Sequence, residues 1–192
     1  MTIPWIARRT ATALPPQKTI IELAQLDAGS WHSPAYAVEP ILTFAAVARY
    51  TVANRIASNV EIKPCPGRDA ETGTAVALAA RQHWLQAGHA PLLSSFSEEA
   101  LHAARAAAPE LPRALLVEIV PSDWRERLKE HQCIALNIKQ KDASKDLIDD
   151  VHAAGYRIAA WTVNDPERAR TLLDWGIDGI FTDELATIRP AL

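Results

Sequence analysis

From Asn59 onward, short apolar runs rich in β-branched residues alternate with longer stretches whose apolar residues recur at helical spacing. Asn59-Val-Glu-Ile-Lys63 reads as a strand, ended by Pro64 and Pro66. Thr74 to Gln86 has the Ala/Leu pattern of a helix, with Gly88 as its stop. Pro91 to Phe96 is the next strand, and Ser97 with Glu98 and Glu99 opens an Ala-rich helix. Ala114 to Val120 is a strand halted by Pro121, after which Ser122 is expected to cap a helix over Asp123 to Glu130. Cys133 to Ile138 and Tyr156 to Val163 are strands separated by a helix from Ser144 to Ala154, closed by Gly155. Asp165-Pro166 supplies an N-cap and first-turn proline for the following helix. Gly179 to Thr182 is the last strand, with a helical turn after Asp183 or Glu184, capped by Asp183.

Strands and helices in alternation, joined by short connections, predict an α/β fold with a parallel sheet covered by helices. No glycine-rich phosphate loop follows any of the strands, which counts against a dinucleotide-type open sheet and favours a barrel. A (β/α)8 barrel of the TIM type has eight strands and roughly 250 residues. The pattern provides six, so the expected fold is an incomplete barrel lacking about its first two βα units. The first forty or so residues show loop and small-helix character without a clear strand. The chain is expected to be one barrel-type domain over 1–192. Within it, 1–45 would be the remnant of an inserted segment and lead-in, and 46–192 the remaining βα units.

Composition adds limits more than detail. At 192 residues, 48% hydrophobic and 22% charged, the chain can bury one substantial core. A net charge of -3 and a pI near 6.1 argue against a nucleic-acid or membrane-surface partner held by bulk electrostatics. Cys65 and Cys133 stand far apart without metal-ligand spacing, and a disulfide scaffold is not expected. The start, Met1-Thr-Ile-Pro-Trp-Ile-Ala-Arg-Arg, has no apolar stretch of signal-peptide or transmembrane length, which makes a cytoplasmic protein the default.

Glu61 and Lys63 are two apart on a strand and point to one face. At the C-terminal end of a barrel strand, that face is the mouth of the barrel. A carboxylate there suits Mg²⁺ or Ca²⁺, and an ammonium suits the charge that develops on a phosphodiester in its transition state. Spacing alone favours an ordinary strand-end ion pair over this reading. His83, His102 and His152 fall on helices, while His89 and His131 precede strands at the opposite end, so none reads as a catalyst. His32 lies in the segment that could overhang the site.

Six stretches, in order, closely resemble bacterial cytoplasmic glycerophosphodiester phosphodiesterases. They are Leu26-Asp-Ala-Gly-Ser-Trp31, Val60-Glu-Ile-Lys-Pro64, Pro91-Leu-Leu-Ser-Ser-Phe96, Ala108-Pro-Glu-Leu-Pro-Arg113, Trp161-Thr-Val-Asn164 and Trp175-Gly-Ile-Asp178, followed by Phe181-Thr-Asp183. The resemblance implies metal-dependent hydrolysis of glycerophosphodiesters to sn-glycerol 3-phosphate and an alcohol. It reverses the order of readings for Glu61, as metal ligand, and Lys63, as charge stabiliser. Trp161 and Phe96 become pocket residues beside a core-packing reading, with Asn137 and Glu118 as weaker inward-facing candidates. His32 becomes a lid contact. The family's His-Arg-Gly, Glu-Asn-Thr, strand-borne Glu-x-Asp and His-Asp motifs are absent from this sequence. The resemblance therefore implies a chain truncated at its N-terminal side, beginning inside the inserted segment near Arg8-Arg9-Thr10. Such a chain would lack the acid-base histidines and hold Mg²⁺ or Ca²⁺ weakly. It would also expose sheet edges open to self-association. The alternative is a catalytically inactive remnant, or a module that binds a phosphate ligand without cleaving it.

Overall fold

The computed structural model describes residues 19–188. The stretch 1–18, with Arg8-Arg9-Thr10 where the resemblance places the start of the chain, lies outside the described residues. The chain divides into two compact units, Met1–Tyr50 and Thr51–Leu192.

In the first unit, helix α1 (Ile20–Ala24) begins with a reciprocal cap. Thr19 accepts from the Glu22 amide, and the Glu22 carboxylate accepts from the Thr19 amide at 2.7 Å. The segment after it is organised by Asp27. Its carboxylate accepts the amides of Gly29, Ser30 and Val38 at 2.8–2.9 Å and the Ser30 hydroxyl. These donors, the Ser30 hydroxyl foremost, hold the Asp27 carboxyl well below the usual carboxylate range. A side chain on Gly29 would place its Cβ 1.9 Å from the Tyr36 carbonyl oxygen, so only glycine fits there. His32 lies between the rings of Trp31 and Tyr36, with centroids 5.6 and 5.1 Å away. Helix α2 (Phe44–Ala53) crosses the boundary between the units.

The second unit is a six-stranded parallel sheet in sequential order: β1 (Asn59–Glu61), β2 (Leu92–Ser95), β3 (Arg113–Val117), β4 (Ala135–Lys139), β5 (Arg157–Trp161) and β6 (Gly179–Ile180). Helices α3 (Asp69–His83), α4 (Glu98–Ala107), α5 (Trp124–Glu130), α6 (Lys145–Ala153) and α7 (Pro166–Asp174) follow the first five strands in turn. Sequential parallel order with a helix between each pair of successive strands is the winding of a (β/α) barrel, and the six curled strands form an incomplete one. No helix among the described residues is long and apolar enough to cross a membrane.

Alternation along the strands sorts the core. Leu115, Val117, Leu136, Ile138, Ile158 and Ala160 share one buried cluster with Leu101, Leu128, Ile148, Val151 and Leu172 of the helices. The intervening residues, among them Leu116, Asn137, Ala159 and Gly179 in one register, face the concave side.

Several boundaries differ from expectation for identifiable reasons. Helix α3 starts at Asp69 rather than Thr74, with Gly73 buried inside it as a packing residue. A Cβ there would lie 2.3 Å from the Ala100 carbonyl oxygen, so the glycine lets α3 and α4 approach closely. Ser122 does not cap α5; Asp123 takes the cap position and uses its carboxylate on Arg127 at 3.0 Å. Ser97 does cap α4, accepting from Ala100, and donates its own hydroxyl to Asp69 at 2.6 Å. After β6 the chain makes one turn, closed by the Ile188 amide on the Glu184 carbonyl. Asp183 caps no helix there. Its amide donates to Asn164 Oδ1 and its carboxylate accepts from Asn164 Nδ2.

Candidate active site at the C-terminal strand ends

Glu61 closes β1, and Ile62 after it is buried while Glu61 and Lys63 are exposed, so the two charged side chains share the open side. The Ser95 hydroxyl fixes this strand end to its neighbour by donating to the Ile62 carbonyl at 2.7 Å. The Ile62 amide reinforces the link by donating to the Ser94 carbonyl at 2.6 Å. The result is a depression of about 290 Å³ lined by Glu61, Lys63, Pro64, Ser95 and Phe96. Loss of water around the Glu61 carboxyl pushes its pKa up from the ordinary value.

Phe96 joins this depression to the next strand ends. Its ring meets Trp161 edge to face, with centroids 5.4 Å apart and planes at 87°. Lys139, the last residue of β4 and the register partner of Trp161, sets its ammonium 5.5 Å from the Trp161 ring centroid. The same ammonium donates to Glu118 at 2.9 Å. This hydrogen bond and charge hold the Glu118 carboxyl below its ordinary pKa. The Trp161 indole N–H is buried without a hydrogen-bond partner.

The four residues expected from the sequence, Glu61, Lys63, Phe96 and Trp161, thus lie along one run of strand ends. Lys139 was missed because the pattern ended its strand at Ile138. Continuing the alternation from Asn137 by two residues would have found it. Asn137 sits deeper, 1% exposed, with neither side-chain polar atom partnered. It borders a second cavity of about 300 Å³ with Arg157, Asp178 and Phe181. That cavity reaches toward the N-terminal strand ends, which in barrel folds serve stability.

His131 is buried and bonds Glu98 at 2.7 Å, His152 bonds Asp178 at 2.7 Å, and His102 approaches Arg105 on α4. His32 stays with Trp31 and Tyr36 in the first unit. Among the described residues no three His, Cys, Asp or Glu side chains gather as a metal site would require. Hard divalent cations take six or more oxygen ligands, several of them carboxylates in protein-held sites. Glu61 brings a single carboxylate to its depression, and these residues do not fit that requirement.

A sequentially wound parallel sheet with a helix between successive strands defines a protein of the (β/α)-barrel class, in which active sites lie at the C-terminal strand ends. Residues 9–187 match the Glycerophosphoryl diester phosphodiesterase family, and the chain belongs to that family of phosphodiester hydrolases. It is 30% identical over 171 residues to YhdW of Bacillus subtilis, named as a glycerophosphodiester phosphodiesterase, covering 86% of this chain and 68% of that protein. A phosphodiesterase from Oleispira antarctica, solved in complex with the product sn-glycerol-3-phosphate, is 37% identical with a TM-score of 0.84. That match covers 89% of this chain and 69% of the Oleispira chain. A protein from Galdieria sulphuraria, 19% identical over 97% of this chain and 74% of its own, shares the fold with a TM-score of 0.71.

Proposed function

We propose that the chain acts on glycerophosphodiesters, the product being sn-glycerol 3-phosphate with release of an alcohol. The observation that carries this reading is the unbroken run from Glu61 and Lys63 through Phe96 to Trp161. In it Lys63 opposes the negative charge that grows on the phosphoryl oxygens, and Phe96 and Trp161 wall the pocket for the groups esterified to phosphorus. Glu61 is the carboxylate lining the same depression. With Glu61 alone, a bound Mg²⁺ or Ca²⁺ would have mostly water as ligands. The similarity to the Oleispira enzyme, whose bound product is a glycerol phosphate, supports the substrate class. The whole sequence 1–192 is read as one barrel-type domain, with 1–45 as the segment leading into the βα units.

A second reading, a module that binds the phosphate ligand without cleaving it, is favoured by His131 and His152, which are bonded to Glu98 and Asp178 away from these strand ends. One pair of assays separates the two. Purified chain incubated with glycerophosphoglycerol and Mg²⁺ or Ca²⁺ should release sn-glycerol 3-phosphate above a protein-free blank. Lys63→Ala should cut that release on the order of 10²-fold with an unchanged melting temperature. Heat on titrating sn-glycerol 3-phosphate, without any release, would favour the binding module. Neither heat nor release would overturn both readings.

A further inference from the structure

The Trp161 ring with the Glu118 carboxylate beside it is the chemistry that receives a quaternary ammonium: an aromatic face and a negative rim. In this chain that place is already taken. Lys139 lies 5.5 Å from the ring centroid and 2.9 Å from Glu118 Oε2. Its side chain is 28% exposed against 71% for Glu118, so the cation is the more enclosed partner. The strand register keeps it there, because Lys139 and Trp161 are paired residues on β4 and β5.

A second, independent observation concerns the other edge of the same side chain. The Trp161 indole N–H is buried and meets no acceptor. A buried donor without an acceptor costs free energy, which a ligand hydroxyl brought against it can recover and a trimethylammonium group cannot. Both features act on one moiety. Phe96 lines the depression of Glu61 and Lys63 and also touches Trp161. A group esterified to a phosphate held at Lys63 therefore extends past Phe96 to Trp161.

We propose that Lys139 sets the alcohol preference of the site: by occupying the cation-accepting face of Trp161 it excludes quaternary ammonium head groups and favours hydroxylated, uncharged ones. This rests on the reading of the strand ends as a glycerophosphodiester site. Glu118 is a positioning residue, acting through Lys139.

The test measures dissociation constants for glycerophosphoglycerol and glycerophosphocholine by calorimetry on the full chain, Lys139→Met and Lys139→Arg. Thermal melts accompany each variant. The unmodified chain should bind glycerophosphoglycerol about 10-fold more tightly than glycerophosphocholine. Lys139→Met, which keeps the length and removes the charge, should shrink that ratio to about 2-fold or less, and Lys139→Arg should retain it. An unchanged ratio in a folded Lys139→Met protein overturns the proposal while leaving the site reading intact. Should Lys139→Met not fold, the other two proteins decide, and a preference for glycerophosphocholine in the unmodified chain overturns the proposal. If no protein binds either ligand, the reading of the site itself fails, and the proposal falls with it.

Discussion

The two ends of the sheet hold the same kinds of residue in opposite conditions. At the N-terminal ends, charge is consumed by the fold. Arg113, 3% exposed at the start of β3, donates to the backbone carbonyls of Pro109, Leu111, His131 and Gln132. Asp178 accepts from Arg157, His152 and the Ile158 amide. Partial burial works against its ionisation, yet these hydrogen bonds keep the Asp178 pKa below its ordinary value. Nearby, burial pushes the Cys133 thiol up to about 12, which leaves it an inert core residue. At the C-terminal ends, Glu61 is raised and the Trp161 indole N–H is unpaired. One end uses its polar groups to hold the sheet together, while the other carries a carboxyl of raised pKa and a donor without an acceptor beside the Lys139–Glu118 pair.

The largest expected break in that contrast is at Arg113. Arg113→Met strands several buried carbonyls and should cost about 3 kcal/mol of unfolding free energy, read as a lower denaturant midpoint. Asp178→Asn is smaller, about 1–2 kcal/mol at neutral pH. Because the folded Asp178 pKa is depressed, its contribution exists above the unfolded carboxyl value of about 3.9 and is lost as pH falls. The gap between Asp178→Asn and the unmodified chain should therefore close in melts taken below about pH 4. Glu61→Gln is the smallest effect and has the opposite sign. A carboxyl with a raised folded pKa favours the folded state when protonated, and that advantage fades as pH rises past the ordinary value. Glu61→Gln should melt slightly above the unmodified chain at neutral pH, within about 0.5 kcal/mol, and level with it below about pH 4. A destabilised Glu61→Gln at neutral pH would mean that the carboxylate serves the fold, and the contrast between the ends would collapse.

Much of this was legible in the chain. All six strands and the five helices that follow β1 to β5 are where hydrophobic period, proline and glycine placed them, apart from end residues. Glu61 and Lys63 stood out because a two-residue spacing is a statement about faces. What was not legible depends on neighbours distant in sequence. The helical pattern in the sequence begins at Thr74, and the role of Gly73 inside the helix shows only once the Ala100 carbonyl is placed against it. The burial of Arg113 depends on four backbone carbonyls converging on it, two of them eighteen and nineteen residues further along the chain. Asp183 has the credentials of a cap, yet its partner is Asn164, nineteen residues earlier. That bond also ties two of the family-like stretches to each other, a link no local pattern contains. Lys139 was lost to a boundary one residue short.

For anyone building variant libraries around the pocket, the tight seam between α3 and α4 is the constraint to plan for. Ser97 sits one residue after Phe96, bridges to Asp69 at the head of α3, and starts the helix whose Ala100 presses on Gly73. A methyl group at position 73 would have to push α4 outward, and the displacement would travel through Ser97 to the ring of Phe96. Randomising the pocket wall while holding Gly73, Asp69 and Ser97 constant separates changes of taste from changes of frame.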